Sequence, residues 1–212
     1  MKNSRRIALS AFALLAIPVL VIGQNTRFTD PDTVIRDHFW GDLYAQGGNS
    51  FFCNHPFASR GFTLTAGYVY PMAEVRRELK CGTASQCLDN NAYRQIASDL
   101  HNIVPVNTRI EMKRRNARFN YLPTAQPNNE CGIKTSGQFV EPPTHAKGDV
   151  ARTVAYMVST YNLPWAGTKE IFHNWNRIDP PDDKELARHN RIADIQGNRN
   201  PFMDNPGRVD TL

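Results

Sequence analysis

The stretch Arg191-Ile192-Ala193-Asp194-Ile195-Gln196-Gly197-Asn198-Arg199-Asn200-Pro201-Phe202 is the most informative in the chain. Ile192 and Ile195 stand about one helical turn apart and share a face that has to be buried. Gly197 suits the left-handed residue that stops a helix. Asn198, Asn200 and Pro201 then predict a turn fixed against the core. This is a structural segment, and Arg152 is read with it as structural rather than catalytic.

Upstream of it the pattern is largely helical. Lys184 to Ile195, Lys169 to Ile178 and Asp149 to Tyr161 read as helices, the last through Val150, Val154, Tyr156, Met157 and Tyr161. Asn91 to His101 predicts another. Residues 32–46 predict a helix with Asp32 as N-cap and Val34, Ile35, Phe39, Leu43 and Tyr44 at helical spacing, ended by Gly47-Gly48-Asn49. Ser50 to Cys53 and Phe62 to Tyr70 are aromatic and β-branched, as strands are. Cys81 to Cys87 and Thr124 to Glu130 read as loops. The tail after Phe202 reads as loose. The fold class is α+β, mostly helical, in one domain over 24–203 with 204–212 as tail; about 190 residues suffice for one sizeable core.

The N-terminus predicts export. Lys2, Arg5 and Arg6 precede an uncharged run from Ile7 to Ile22, and Gly23 is small enough for cleavage. Residues 1–23 therefore read as a signal peptide, with no stable membrane span expected after its removal and a periplasmic or secreted destination. The site Val21-Ile22-Gly23 departs from Ala-x-Ala, so retention as an anchor is the competing reading. Without those three cations the formal charge falls from +5 to +2, too mild to argue for nucleic acid by itself. Clustering says more: Lys113, Arg114, Arg115 and Arg118 are suited to backbone phosphates, against the alternative of an ordinary solvated cluster. Four cysteines in an exported chain favour two disulfides; the Cys81-x5-Cys87 spacing is not that of a zinc ribbon.

Several blocks together resemble the endonuclease I family of periplasmic or secreted nucleases, which cut DNA and often RNA with little sequence preference. They are Ser50-Phe51-Phe52-Cys53; Ser98-Asp99-Leu100-His101-Asn102-Ile103-Val104-Pro105, followed by Arg114-Arg115-Asn116-Ala117-Arg118-Phe119; Glu141-Pro142-Pro143 with Lys147-Gly148-Asp149-Val150-Ala151-Arg152-Thr153 and Tyr156-Met157; and the Arg191–Phe202 stretch, close to R-I-A-K-I-Q-G-N-H-N-P-F. The resemblance implies a ββα-metal core, in which a strand histidine activates water and a neighbouring Glu and a helix Asn hold Mg2+. It also implies the pairings Cys81–Cys87 and Cys53–Cys131.

The match breaks at the chemistry. Where the family reads W-E-H-V-V-P-A, this chain reads Ala66-Gly67-Tyr68-Val69-Tyr70-Pro71-Met72. Gly67 falls at the metal-binding Glu and Tyr68 at the general-base His, leaving Asn116 as the matching metal ligand. Glycine supplies no carboxylate, and a phenol is a poor base at neutral pH. His55 and His101 are candidate substitute bases, with His101 expected to be structural. Glu74 and Glu78 are candidate carboxylates, expected to lie on a solvated helix face. The implied function is a Mg2+-dependent, non-specific DNA or RNA endonuclease with weak or absent hydrolysis, or, alternatively, an inactive homologue that binds nucleic acid or a protein partner. Mg2+ is the expected cofactor if the chain is active, and none if it is not.

Overall fold

The computed structural model describes residues 23–127 and 131–212. The predicted signal peptide, up to residue 22, and the last part of the 124–130 loop lie outside the described residues.

A central helix organises the domain. Helix α6 (Lys147–Tyr161) buries ten residues, including Val150, Ala151, Val154, Ala155, Tyr156 and Met157, and so is covered nearly all round. Helix α7 (Lys169–Ile178) crosses it closely. The approach requires a glycine: a Cβ on Gly148 would stand 1.8 Å from Asp179 O, and the Gly148 amide donates to Asp179 Oδ2 at 2.8 Å. Arg152 is fully buried on α6, donating to Asn176 Oδ1 (3.1 Å), Asp179 O (2.9 Å) and Glu185 Oε1 (2.9 Å). It ties α6 and α7 to α8 (Asp183–Gln196).

The Arg191–Phe202 stretch clasps the fold. Helix α8 ends at Gly197 with φ +86°, and Asn200 caps the short α9 (Pro201–Asp204). Gln196 accepts from the Leu100 amide at 2.7 Å and donates to Asp99 Oδ1 at 2.8 Å. The same buried carboxylate accepts the hydroxyls of Tyr156 and Tyr161, each at 2.6 Å. Asn198 donates to the Tyr156 hydroxyl at 2.8 Å and to Gly23 O at 2.5 Å. A buried ion of this kind is tolerable only because every lone pair is used.

The sheet elements are small. β1 (Gly48–Asn49) pairs with β2 (Pro56–Phe57), and β5 (Arg118–Phe119), β7 (Phe139–Glu141) and β6 (Lys134–Ser136) form a second sheet in that order. The pair that positions the site is antiparallel: β3 (Leu64–Tyr68) against β4 (Ile103–Asn107), with Gly67 opposite Val104 and Tyr68 opposite Ile103. β4 runs straight into α5 (Thr108–Arg114), whose N-cap is Asn107. Two strands followed by a helix make the ββα unit, within an α+β fold. Helices α2 (Met72–Leu79), α3 (Ala84–Cys87) and α4 (Asn91–Ala97) lie between β3 and β4 in the chain. Cys53–Cys131 and Cys81–Cys87 are both bonded, with Cα separations of 4.5 and 5.0 Å.

Four expectations are corrected. The first helix is capped by Asp30, which accepts from the amides of Asp32 and Thr33; α1 (Pro31–Thr33) then continues in wide π-type turns over Val34–Leu43. Ser50 to Cys53 is a turn in which Asn54 N bonds Ser50 O at 2.7 Å; its aromatic pattern reflects burial of Phe52, not pairing. The Cys81–Cys87 loop contains α3, because Thr83 and Gln86 form a capping box. The tail is docked rather than loose: Pro206–Thr211 is a 3-10 helix, Val209 is fully buried, and Asn176 donates to Pro206 O at 3.0 Å. Among the described residues no helix is long and apolar enough to cross a membrane.

Candidate active site

The β3 strand and helix α5 flank a cleft of about 430 Å³ lined by Thr65, Tyr68, Pro71, Glu111, Arg115 and Asn116, with Thr108, Met112 and Arg114 also contributing. Side chains alternate along a strand. Leu64, Ala66 and Tyr68 pack towards the cluster built on Phe39, Trp40 and Leu100, which leaves Thr65 and Gly67 facing α5.

Gly67 opens onto a carboxylate. A Cβ placed there would lie 3.0 Å from Glu111 Oε2 and 2.9 Å from Val106 Cγ2. Glu111, one turn into α5, thus fills the space that a side chain on residue 67 would occupy. Its charge is already answered: Arg114 Nε donates to Glu111 Oε2 and Nη2 to Oε1, both at 3.2 Å. The Arg114 side chain is 1% exposed, lies over the Phe52 ring, and also donates to Tyr68 O and to Val69 O. Expected among the phosphate-binding cations, Arg114 is instead a buried cross-brace between α5 and β3. In sequence this pair looks like an ordinary i,i+3 surface bridge. Only the absence of a side chain at Gly67 hinted that a carboxylate from elsewhere fits there.

Tyr68 turns its hydroxyl inward, donating to Ala97 O at 2.9 Å. Burial pushes its pKa upward from the ordinary phenol value, which moves it further from service as a base. Asn116 follows α5 at the cleft mouth, and its Oδ1 accepts the Ala73 amide at 3.1 Å in the first turn of α2.

These residues do not fit a Mg2+ site. The carboxylate in the cleft is held by a guanidinium, the amide oxygen is engaged by a backbone N–H, and Gly67 offers nothing. Among the described residues no three His, Cys, Asp or Glu are grouped to hold a metal. Mg2+ needs several free oxygen donors around a small ion.

The substitutes considered from sequence lie elsewhere. His101 is buried, its Nε2 3.2 Å from Asn198 O, and burial pulls its pKa down to about 4; it is structural, as expected. His55 is exposed on the turn after Cys53, its amide bonded to Ser50 Oγ at 3.1 Å, and does not line the cleft. Glu78 is exposed. Glu74 is not, correcting its reading as solvated: it is 4% exposed, paired with Arg77 at 2.8 Å and 4.0 Å from Arg118. Arg118 is half-buried and donates to Trp165 O at 3.1 Å. Arg115 is exposed at the cleft mouth, and Lys113 is exposed on α5. Arg115 has φ +49° and ψ −124°, a conformation costly for a residue with a Cβ. The structure thus brings Tyr68, Asn116 and Arg115 to one cleft, with Gly67 buried behind Glu111, a residue that sequence reasoning missed.

Comparison with known proteins agrees on the scaffold. The profile of the family described as Endonuclease I matches residues 78–207. The chain is 30% identical over 155 residues to the Endonuclease-1 of Buchnera aphidicola subsp. Baizongia pistaciae, covering 69% of this chain and 63% of that protein. It is likewise 30% identical to a periplasmic deoxyribonuclease of Aeromonas hydrophila, over 69% of this chain and 65% of that one. An extracellular ribonuclease of Bacillus amyloliquefaciens is 31% identical over 134 residues, 54% of this chain and 46% of that protein. The aligned part is under two thirds of each of these relatives. The profile match begins beyond Tyr68, so it rests on the helical scaffold and not on the altered strand. On that match and the ββα arrangement together, the chain belongs to the endonuclease I family.

Proposed function

We propose that this protein holds the phosphodiester backbone of DNA or RNA at the β3–α5 cleft, without sequence preference, and that hydrolysis by the family's Mg2+ route is weak or lost. The observation that carries this reading is the Glu111–Arg114 pair seated against Gly67: the space for a strand carboxylate is filled, and its charge is neutralised by a guanidinium. A periplasmic or secreted location goes with it, supported by the signal-like N-terminus, the two disulfides and the relatives named periplasmic and extracellular.

Lys113 and Arg115 are exposed beside the cleft, and Arg118 is half-exposed. Cations there contact phosphates without reading bases, and such binding weakens steeply with salt. Neither Tyr68 nor Asn116 offers a base. Loss of a general base alone removes about 10²–10⁴-fold of rate.

The test measures plasmid cleavage with Mg2+ for the natural chain, for Asn116→Ala and for Gly67→Glu/Tyr68→His, with DNA binding followed in parallel. Slow or absent cutting with salt-sensitive binding is expected of the natural chain. Robust cutting that Asn116→Ala abolishes would overturn the loss of hydrolysis. Absence of binding would overturn the nucleic-acid reading and turn attention to a protein partner.

A further inference from the structure

Helix α5 carries a surface that the cleft geometry leaves unexplained. Thr108, Glu111, Met112 and Arg115 stand at i, i+3, i+4 and i+7 and all line the cleft. Met112 is 68% exposed although it is apolar. The other exposed apolar group nearby is Phe62, at 107% of its reference area. It immediately precedes Thr63, whose carbonyl accepts the Thr108 amide at 2.8 Å. That bond fixes Phe62 at the N-terminal end of α5, and Met112 lies one turn further along the helix. Arg109, Lys113 and Arg115 are exposed along the same helix, while the acidic Glu111 is already neutralised by Arg114.

An isolated exposed apolar side chain is ordinary. Met112 in the cleft lining and Phe62 next to the start of the same helix, with exposed cations along it, are a different matter. A duplex offers such a rim phosphates, sugars and base edges, but its base faces are covered by stacking. An unpaired strand offers the same phosphates and also bare base faces, on which an aromatic ring or a thioether packs favourably. Alternating cation and apolar group is the surface that tracks such a strand.

We propose that Phe62 and Met112 are a stacking rim that makes single-stranded nucleic acid the preferred ligand of this cleft. This rests on the nucleic-acid reading above and adds to it the strandedness of the ligand and the residues that select it.

The experiment compares binding of one labelled oligodeoxynucleotide as a single strand and as its duplex, by fluorescence anisotropy at two salt concentrations. The natural chain, Phe62→Ala, Phe62→Trp, Met112→Ala and Arg115→Ala are measured. Phe62 is fully exposed, so its variants are expected to fold, and unchanged melting temperatures verify this. Phe62→Ala is expected to weaken single-strand binding about 5- to 150-fold while leaving duplex binding unchanged. Phe62→Trp should keep the single-strand affinity, and Arg115→Ala should weaken both ligands alike. Equal affinity of the natural chain for the two ligands overturns this inference, as does single-strand binding indifferent to Phe62→Ala and Met112→Ala; either leaves the nucleic-acid reading in place. If the natural chain binds neither ligand, both fall.

Discussion

Glu111 Oε2 lies 3.0 Å from the point where a Cβ on Gly67 would stand, so α5 delivers a carboxylate to the place that β3 has vacated. The two positions therefore compete for one volume and for one partner, Arg114. Gly67→Glu alone overpacks the site against Glu111 and Val106 and should cost about 1–3 kcal/mol. Glu111→Ala alone leaves the buried Arg114 without its counter-charge, a loss of about 3–5 kcal/mol. Made together, the changes hand Arg114 a carboxylate from the strand, so the combined loss should fall well short of the sum. Thermal unfolding of the four members of this cycle reads the coupling; strictly additive losses would refute the exchange.

Arg114 and Arg115 are adjacent in sequence and opposite in duty. Arg114→Ala removes a buried guanidinium bonded to Glu111 and to two strand carbonyls, and should cost several kcal/mol, within the about 3–5 kcal/mol typical of a broken buried pair. Arg115→Gly should instead raise stability by about 1 kcal/mol, since glycine adopts a positive φ without strain. The same change should flatten the salt dependence of DNA binding by about one unit of log–log slope. Chemical denaturation and salt-titrated binding of both variants separate the two roles.

Much of this was legible in the sequence, and the limits have physical causes. Gly197 and the helical faces of α6 and α8 were readable because backbone geometry and burial periodicity are local. So was the loss of the Glu–His pair, which needs only residue identity. The Glu111–Gly67 exchange was not readable: it joins residues distant in sequence through a void, and a void has no letter. Glu74 was misread for a related reason, because its surroundings include Arg118 of β5, 44 residues away in sequence and 4.0 Å away in space. The tail was misread because Val209 and Pro206 gain their partners from α6, α7 and α9, which only the fold brings to them.

The two disulfides should differ in weight. Cys53–Cys131 closes a separation of 78 residues, and Cys81–Cys87 one of 6. On the loop-entropy argument the first contributes about 4.5 kcal/mol and the second about 2 kcal/mol. Melting of the paired Cys→Ala variants should reproduce that order; equal losses would point to native-state contacts instead.

Acid should find His101. Burial, reinforced by the nearby charges of Arg188 and His189 and opposed by Asp99, lowers its folded pKa to about 4. The unfolded imidazole, near 6.5, takes up its proton first. Stability from this site is therefore whole above about pH 6.5 and declines as pH falls towards 4, by up to about 1.4 kcal/mol per pH unit. Asp149 and Glu185, whose pKa values burial raises, contribute in the opposite sense. The comparison is thus between the natural chain and His101→Gln, which keeps a donor for Asn198 O. The variant should show the shallower decline, and identical slopes would acquit His101.

The clasp on Asp99 makes the domain sensitive to its own completeness. Tyr156, Tyr161 and Gln196 must all arrive before that carboxylate is fully partnered, and Gln196 stands 97 residues downstream. A polypeptide that stops short of residue 196 carries an under-partnered ion into its interior and stays open to proteolysis. The clasp thereby makes closure of the interior polar network conditional on a chain that reaches Gln196.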